Sequence, residues 1–151
     1  MEGNLLSKIM EKLSLSIFIV GLILTAALPF WTPLLLNFWD KTDIQWLFIK
    51  CLVVLYPVGI IALIAVWDTF QMMRNINHQQ PFIMNNAKRI KRIAVLCVIE
   101  ALLFYISVFV WKAPSMFIVA IPFTLFSCYL FVMGKLFKQA VIYKEENDLT
   151  I

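Results

Sequence analysis

RNINHQQPFIMNNAKRIKR, residues 74–92, is the densest polar segment of the chain and divides two long apolar halves. It holds five of the thirteen Lys and Arg residues and the single histidine, His78. The sequence on either side is hydrophobic enough for a bilayer, so this segment sets the orientation of the whole molecule. It is also the surface best placed to meet a partner in water.

Of the 151 residues, 62% are hydrophobic and the mean hydropathy is +0.87. A soluble domain is only about half apolar. The composition therefore predicts an integral membrane protein, and since a membrane-spanning helix takes roughly 20 residues, the length admits four spans and little else. The expected class is an all-α four-helix bundle embedded in the membrane as a single domain. Its spans are expected at about 13–31, 46–73, 93–111 and 115–136, joined by the loop 74–92 and followed by a tail, 137–151.

Lys8 and Lys12 precede the first apolar run, which raises the question of a signal peptide. That run continues to about Leu36, well beyond a signal core of roughly 7–15 residues, and reads as a retained first span. Residues 1–12 suit a short amphipathic lead-in at the interface. Pro29 and Pro33 bracket Phe30 and Trp31, where the first span is expected to stop, with 32–45 as an outer loop. Pro57 with Gly59, and Pro122, predict kinks in spans two and four. Lys112, Ala113 and Pro114 form a short outer turn between spans three and four. Trp31, Trp39, Trp46 and Trp111 cluster at the outer boundary and Trp67 lies near the inner one, as aromatic belts require.

Orientation follows from the basic residues. Ten lie on the side of the termini and the central loop: Lys8, Lys12, Arg74, Lys88, Arg89, Lys91, Arg92, Lys135, Lys138 and Lys144. Only Lys41, Lys50 and Lys112 lie on the other. The positive-inside rule thus predicts that both termini and the loop are cytoplasmic, in a multi-pass protein of the cell membrane. Within the loop, Pro81 suits the first helical position, and Phe82, Ile83, Ala87, Ile90 and Ile93 recur at helical spacing opposite Asn85, Lys88, Arg89 and Arg92. An amphipathic turn running straight into span three is expected.

Asp68 and Glu100 are the acids that lie where acids are costly. Counted from the ends of their spans they fall at similar depth, and two readings are open. They could form a proton or cation position, or Asp68 could pair with a loop arginine while Glu100 is protonated or bonded to a neighbouring helix. Other chemistry has little support. His78 has no second imidazole, the serines and cysteines lack a base at membrane depth, and the four glycines form no phosphate-cradling loop. Cys51, Cys97 and Cys128 stand singly in apolar runs and read as packing residues. No enzyme, cofactor or metal is expected. The KRIKR run could bind anionic inner-leaflet lipid, could serve orientation alone, or could meet an acidic protein surface; direct nucleic-acid binding is set aside, because charges held against an anionic membrane are already screened.

Pro81-Phe82, Asn86, Lys88-Arg89-Ile90 and Arg92-Ile93, together with the ending Glu145-Glu146-Asn147-Asp148-Leu149-Thr150-Ile151, resemble the YoaS-like family of small bacterial four-span membrane proteins of unknown function. The likeness extends over the whole chain in span number and spacing. It departs at Gln80, where a glycine is expected shortly before the Pro-Phe pair. Such proteins are commonly encoded beside a small Cro/C1-type helix-turn-helix regulator, so the resemblance implies a membrane partner for one. The interaction residues it implies are Pro81, Phe82, Asn86, Lys88, Arg89 and Arg92 in the loop, with Glu145, Glu146, Asn147, Asp148, Leu149 and Ile151 in the tail. The leading expectation is a membrane-embedded regulatory protein that sequesters such a regulator. The alternatives are a ligand- or proton-sensing, transporter-like bundle using Asp68 and Glu100, and a structural subunit of a membrane complex or homo-oligomer.

Overall fold

Inside a bilayer every backbone N–H and C=O must be paired within the protein, and a helix achieves this within one segment. The apolar runs accordingly become helices. The computed structural model describes residues 2–37, 44–78, 80–112 and 114–148, and among them five helices and no strand occur: α1 Glu2–Ala26, α2 Leu28–Asn37, α3 Ile44–Asn77, α4 Met84–Trp111 and α5 Ser115–Asp148. Four are long and apolar enough to cross a membrane, over Leu5–Ala26, Phe48–Asn77, Met84–Trp111 and Ser115–Asn147. The protein is a multi-pass membrane protein of all-α class.

Several boundaries differ from those expected. The region around Pro29 and Pro33 breaks the first helix at Ala27 without ending it, and α2 resumes the path to Asn37. Pro29 has no N–H to donate and its ring excludes the preceding turn, so the break falls just before it. The Phe30 and Trp31 amides both return to the Ala27 carbonyl and let the helix restart. Much of the segment expected to be an outer loop is therefore helical, and Trp39 lies outside the described residues. No separate lead-in precedes the first span, since α1 is continuous from Glu2. Pro57 and Pro122 lie within α3 and α5, which stay continuous through them. Pro81 is not the first helical residue either: α4 starts at Met84, with Ile83 extended at its N-cap. The turn between α3 and α4 needs no left-handed residue at Gln80, whose amide bonds the Asn75 carbonyl at 3.0 Å. Among the described residues the left-handed one is Lys112, which caps α4 at φ 51°.

The helices run up and down and neighbour one another in chain order. α1 and α2 pack on α3, α3 on α4, and α4 on α5; among the described residues the backbones of α1 and α5 do not approach. Small residues set the two tightest contacts. On α4, Ala87, Ala94 and Ala101 are buried at seven-residue spacing, and on α5 so are Ala120, Ser127, Gly134 and Val141. Facing stripes of small residues let two helix backbones close up where no hydrophobic force from water drives them together. A Cβ added at Gly134 would stand 3.4 Å from Ile90 Cγ2 and 3.7 Å from the Lys91 backbone nitrogen. Between α1 and α3, Gly59 lies against Thr25 and Gly21 against Leu63. Phe18 of α1, Trp67 and Phe70 of α3 then form a chain of rings with centroids 5.2 and 5.4 Å apart. Trp67 thus joins two helices.

Gly59→Leu is expected to lower stability by about 1–3 kcal/mol, since the inserted side chain meets Thr25 at once. Ile118→Leu, at a position 70% exposed on the outer face of α5, is expected to change nothing. Thermal unfolding of the purified protein in detergent measures the difference.

Candidate functional site

The end of the molecule that carries both termini is also where its polar side chains converge. α3 presents Asp68, Asn75 and Asn77 along its last turns, and α4 presents Asn86, Arg89 and Arg92 along its first. Helical periodicity places Asp68 and Asn75 on one face, and Asn86, Arg89 and Arg92, three apart, on the face that meets it. Asp68 is fully buried. Arg89 donates from Nη1 to its Oδ1 at 2.8 Å, and Arg92 donates to both carboxylate oxygens through Nε and Nη2. Seven residues closer to the turn, Asn75 Nδ2 donates to Asn86 Oδ1 at 2.7 Å, while Asn86 Nδ2 donates to the Pro81 carbonyl at 2.9 Å. The fully buried Asn86 amide thereby closes the connection between the helices. Asn77 reaches the other way, accepting from Ser7 Oγ and donating to Glu11, which ties α1 to the same end.

These contacts redistribute the expected site residues. Asn86 has no surface to offer a partner, and Arg89 and Arg92 are committed to Asp68, although the Arg92 side chain remains 56% exposed. Asp68 therefore takes the paired reading. Glu100 does not share its depth: with Asn75 opposite Asn86, Asp68 is level with Arg92, and Glu100 lies eight residues further along α4, about 12 Å deeper. The expectation of equal depth counted from the ends of the apolar runs, whereas the helices continue well past those ends to a turn at 78–83. Glu100 is buried beside Cys97 on the packed side of α4, and among the described residues no hydrogen bond or ion pair reaches its carboxyl.

Helical geometry splits the KRIKR run around Ile90, which is buried. Arg89 and Arg92 turn toward α3, while Lys88 and Lys91 turn toward α5, where Lys135 and Lys138 meet them. Lys91, Lys135 and Lys138 were not among the residues singled out from sequence for a site. Their spacing is the available signal: 88 and 91, like 135 and 138, are three apart and share a face.

Pro81 and Phe82 stand at the turn. Phe82 stacks on Phe137 of α5 with centroids 5.5 Å apart, and with Ala140, Tyr143, Lys144 and Asn147 it lines an open groove of ≈ 520 Å³. The loop and tail halves of the expected docking face thus adjoin. Glu145, Glu146 and Asn147 are exposed on the last turns of α5, and Asp148 ends the helix. Leu149, Thr150 and Ile151 lie outside the described residues. Among the described residues no three His, Cys, Asp or Glu side chains gather as a metal set. Cys51 and Cys97 are buried as packing residues, whereas Cys128 faces outward.

A family model whose description is a protein of unknown function, DUF2975, matches residues 37–151. The match takes in α3, α4 and α5, and with them the turn, the tail and the Asp68 cluster. No curated protein and no solved structure matches the chain.

Removing one partner of a buried ion pair strands the remaining charge, so Asp68→Asn is expected to destabilise by about 3–5 kcal/mol. Replacing all three groups, by Asp68→Leu, Arg89→Met and Arg92→Met, is expected to recover most of that loss. The comparison is made by unfolding in detergent; a D68N protein that melts with the wild type would deny the cluster its structural role.

Proposed function

The chain belongs to the DUF2975 family of proteins of unknown function, and from that premise we propose that it is a non-enzymatic regulatory membrane protein that holds a small helix-turn-helix regulator at the cytoplasmic face. The observation that carries this reading is the groove between Phe82 and the last turns of α5. There an exposed aromatic turn and a protruding helix with an acidic end form one continuous surface.

The chemistry suits such a partner. A DNA-reading surface is basic because it neutralises phosphates. Glu145 and Glu146 offer it opposite charge, and Phe82 with Tyr143, 44% and 65% exposed, offers aromatic anchors of the kind that dominate interfaces. Docking there covers the surface that would otherwise reach an operator. Pro81, Phe82 and the tail make direct contact in this reading, and Lys88 lies at the margin. Asn86, Arg89 and Arg92 act through the fold by fixing where the turn and α4 stand. The resemblance to the YoaS-like family supplies the type of partner. The rival reading as a proton- or ligand-coupled bundle loses the geometric pairing of Asp68 with Glu100 on which it rested.

The reading requires both termini and the 78–83 turn to face the cytoplasm of the cell membrane, as the ten-to-three distribution of basic residues favours. Reporter fusions after residue 148 and within 78–83 are expected to report the cytoplasm, and fusions at Lys112 the opposite side. The docking face is tested by co-purification of the full chain from membranes with a candidate small helix-turn-helix regulator expressed alongside it. Phe82→Ala with Tyr143→Ala, and separately Glu145→Lys with Glu146→Lys, are each expected to reduce recovery about tenfold or more, as loss of interface anchors does. Undiminished recovery in both variants would overturn the proposal.

A further inference from the structure

A second concavity at this end lies between α4 and α5 and is distinct from the Phe82 groove. It has a volume of ≈ 360 Å³. Lys88 and Lys91 form one wall and Lys135 and Lys138 the other, with all four side chains exposed. The hollow exists because the facing residues are small: Ala87 and Gly134 leave the space that larger side chains would fill. Met84 closes it toward water and Phe131 toward the apolar part of the spans. Apart from the lysine heads, its lining is hydrocarbon.

Its position is as telling as its composition. Lys91 is two residues before Ile93, where the apolar run of α4 begins, and Lys135 stands among Val132, Met133 and Leu136, which are exposed on the apolar surface of α5. The four ammonium groups therefore ring a cavity at the level of the lipid phosphates, with apolar surface running from it into the bilayer. The arginines of the same run do not contribute, because both are turned to Asp68. Among the described residues no acid lines the cavity, and the nearest acids along α5, Glu145 and Glu146, lie two turns beyond Lys138.

We propose that the cavity bounded by Lys88, Lys91, Lys135 and Lys138 is a binding site for a two-phosphate membrane lipid, of the diphosphatidylglycerol (cardiolipin) class, drawn from the leaflet at the end that carries both termini. Each wall supplies a pair of lysines one helical turn apart, so one phosphodiester is held by each pair. A mobile ammonium suits this task, because it meets a phosphate as a point charge without the planar fork that an arginine imposes. The acyl chains leave over Phe131 along the exposed apolar faces of α4 and α5. Basic pockets between spans at the membrane edge have the chemistry that diphosphatidyl headgroups require. The lipid would bridge α4 and α5 beside Gly134. The site shares only Lys88 with the margin of the proposed regulator surface, and its test does not involve the regulator.

The experiment uses the full chain, purified and delipidated, and follows lipid binding by native mass spectrometry with tetraoleoyl cardiolipin, dioleoyl phosphatidylglycerol and dioleoyl phosphatidylethanolamine as probes. Cardiolipin is expected to bind about tenfold or more tightly than phosphatidylglycerol. K88Q/K91Q/K135Q/K138Q is expected to lose that preference and at least about tenfold in cardiolipin affinity, with each tenfold being one step of about 1.4 kcal/mol. The corresponding four-arginine variant should keep much of the affinity, and K8Q/K12Q, which removes two charges at the same end outside the cavity, should keep all of it. Equal binding by the four-glutamine variant would overturn the site. So would an equal loss in K8Q/K12Q, which would indicate a general charge effect, or displacement of cardiolipin by inorganic pyrophosphate at matching concentration, which would indicate a site for free phosphates.

Discussion

The buried pairing of Asp68 with Arg89 and Arg92 is the interaction on which the arrangement of the spans depends. α1 with α3, and α4 with α5, are each joined by close helix-to-helix contacts, but among the described residues α3 and α4 alone connect one pair to the other. Asp68 has no exposed surface and takes hydrogen bonds from two guanidiniums on the facing helix. Sliding α3 by one turn would leave a carboxylate and two arginines unpaired at the membrane edge, a far larger penalty than any gain from apolar repacking among residues that lipid solvates equally well. Apolar contacts between these helices specify register weakly. The charges specify it strongly, and the Asn75–Asn86–Pro81 bonds repeat the same register one step nearer the turn.

Register in turn decides what the polar end can present. With α4 fixed on α3, Ile90 faces the packed interior, and the residues on either side of it diverge by about 100° per position. Two of the four basic side chains flanking Ile90 go to Asp68 and two go to the groove with α5. The turn at 78–83 then places Phe82 on Phe137, so the protruding part of α5 is braced by the loop and not only by the span it continues. A short polar segment thus sets the topology, the register and the shape of the exposed face through the same few turns of helix.

Much of this architecture could be read from the sequence. Four apolar runs separated by polar or proline-containing breaks leave few options in a bilayer, and the one-sided distribution of Lys and Arg distinguishes the two ends. The pairing of Asp68 with a loop arginine was legible because an acid near a span end and a basic run across a short hairpin have few other partners. What could not be read was the vertical position of Glu100. Hydropathy marks where lipid begins, but helices α3 and α4 run past that mark by different amounts, and depth in a hairpin is counted from its turn. The continuation of the first helix past Pro29 escaped for a related reason: proline removes one donor and one turn's geometry, and the Phe30 and Trp31 amides recover the path by bonding the Ala27 carbonyl.

The small-residue stripe of α4 and α5 was present in the sequence but hidden by its ordinariness. Ala87, Ala94 and Ala101, opposite Ala120, Ser127, Gly134 and Val141, are uncharged and of small or moderate size, so neither hydropathy nor a search for charged groups selects them. Their seven-residue spacing is nevertheless the geometry of two helices crossing at a shallow left-handed angle. That same spacing brings Lys88 and Lys91 to face Lys135 and Lys138. Like charges on facing helices repel, and a fold that relied on helix contact alone would not favour four ammonium groups around one cavity. The close packing beneath them holds the charges together without neutralising them, and among the described residues no carboxylate lines the space between. An anion that satisfies both walls would therefore stabilise the α4–α5 contact in proportion to the repulsion it relieves, which couples the composition of the surrounding leaflet to the helix pair that carries the exposed tail.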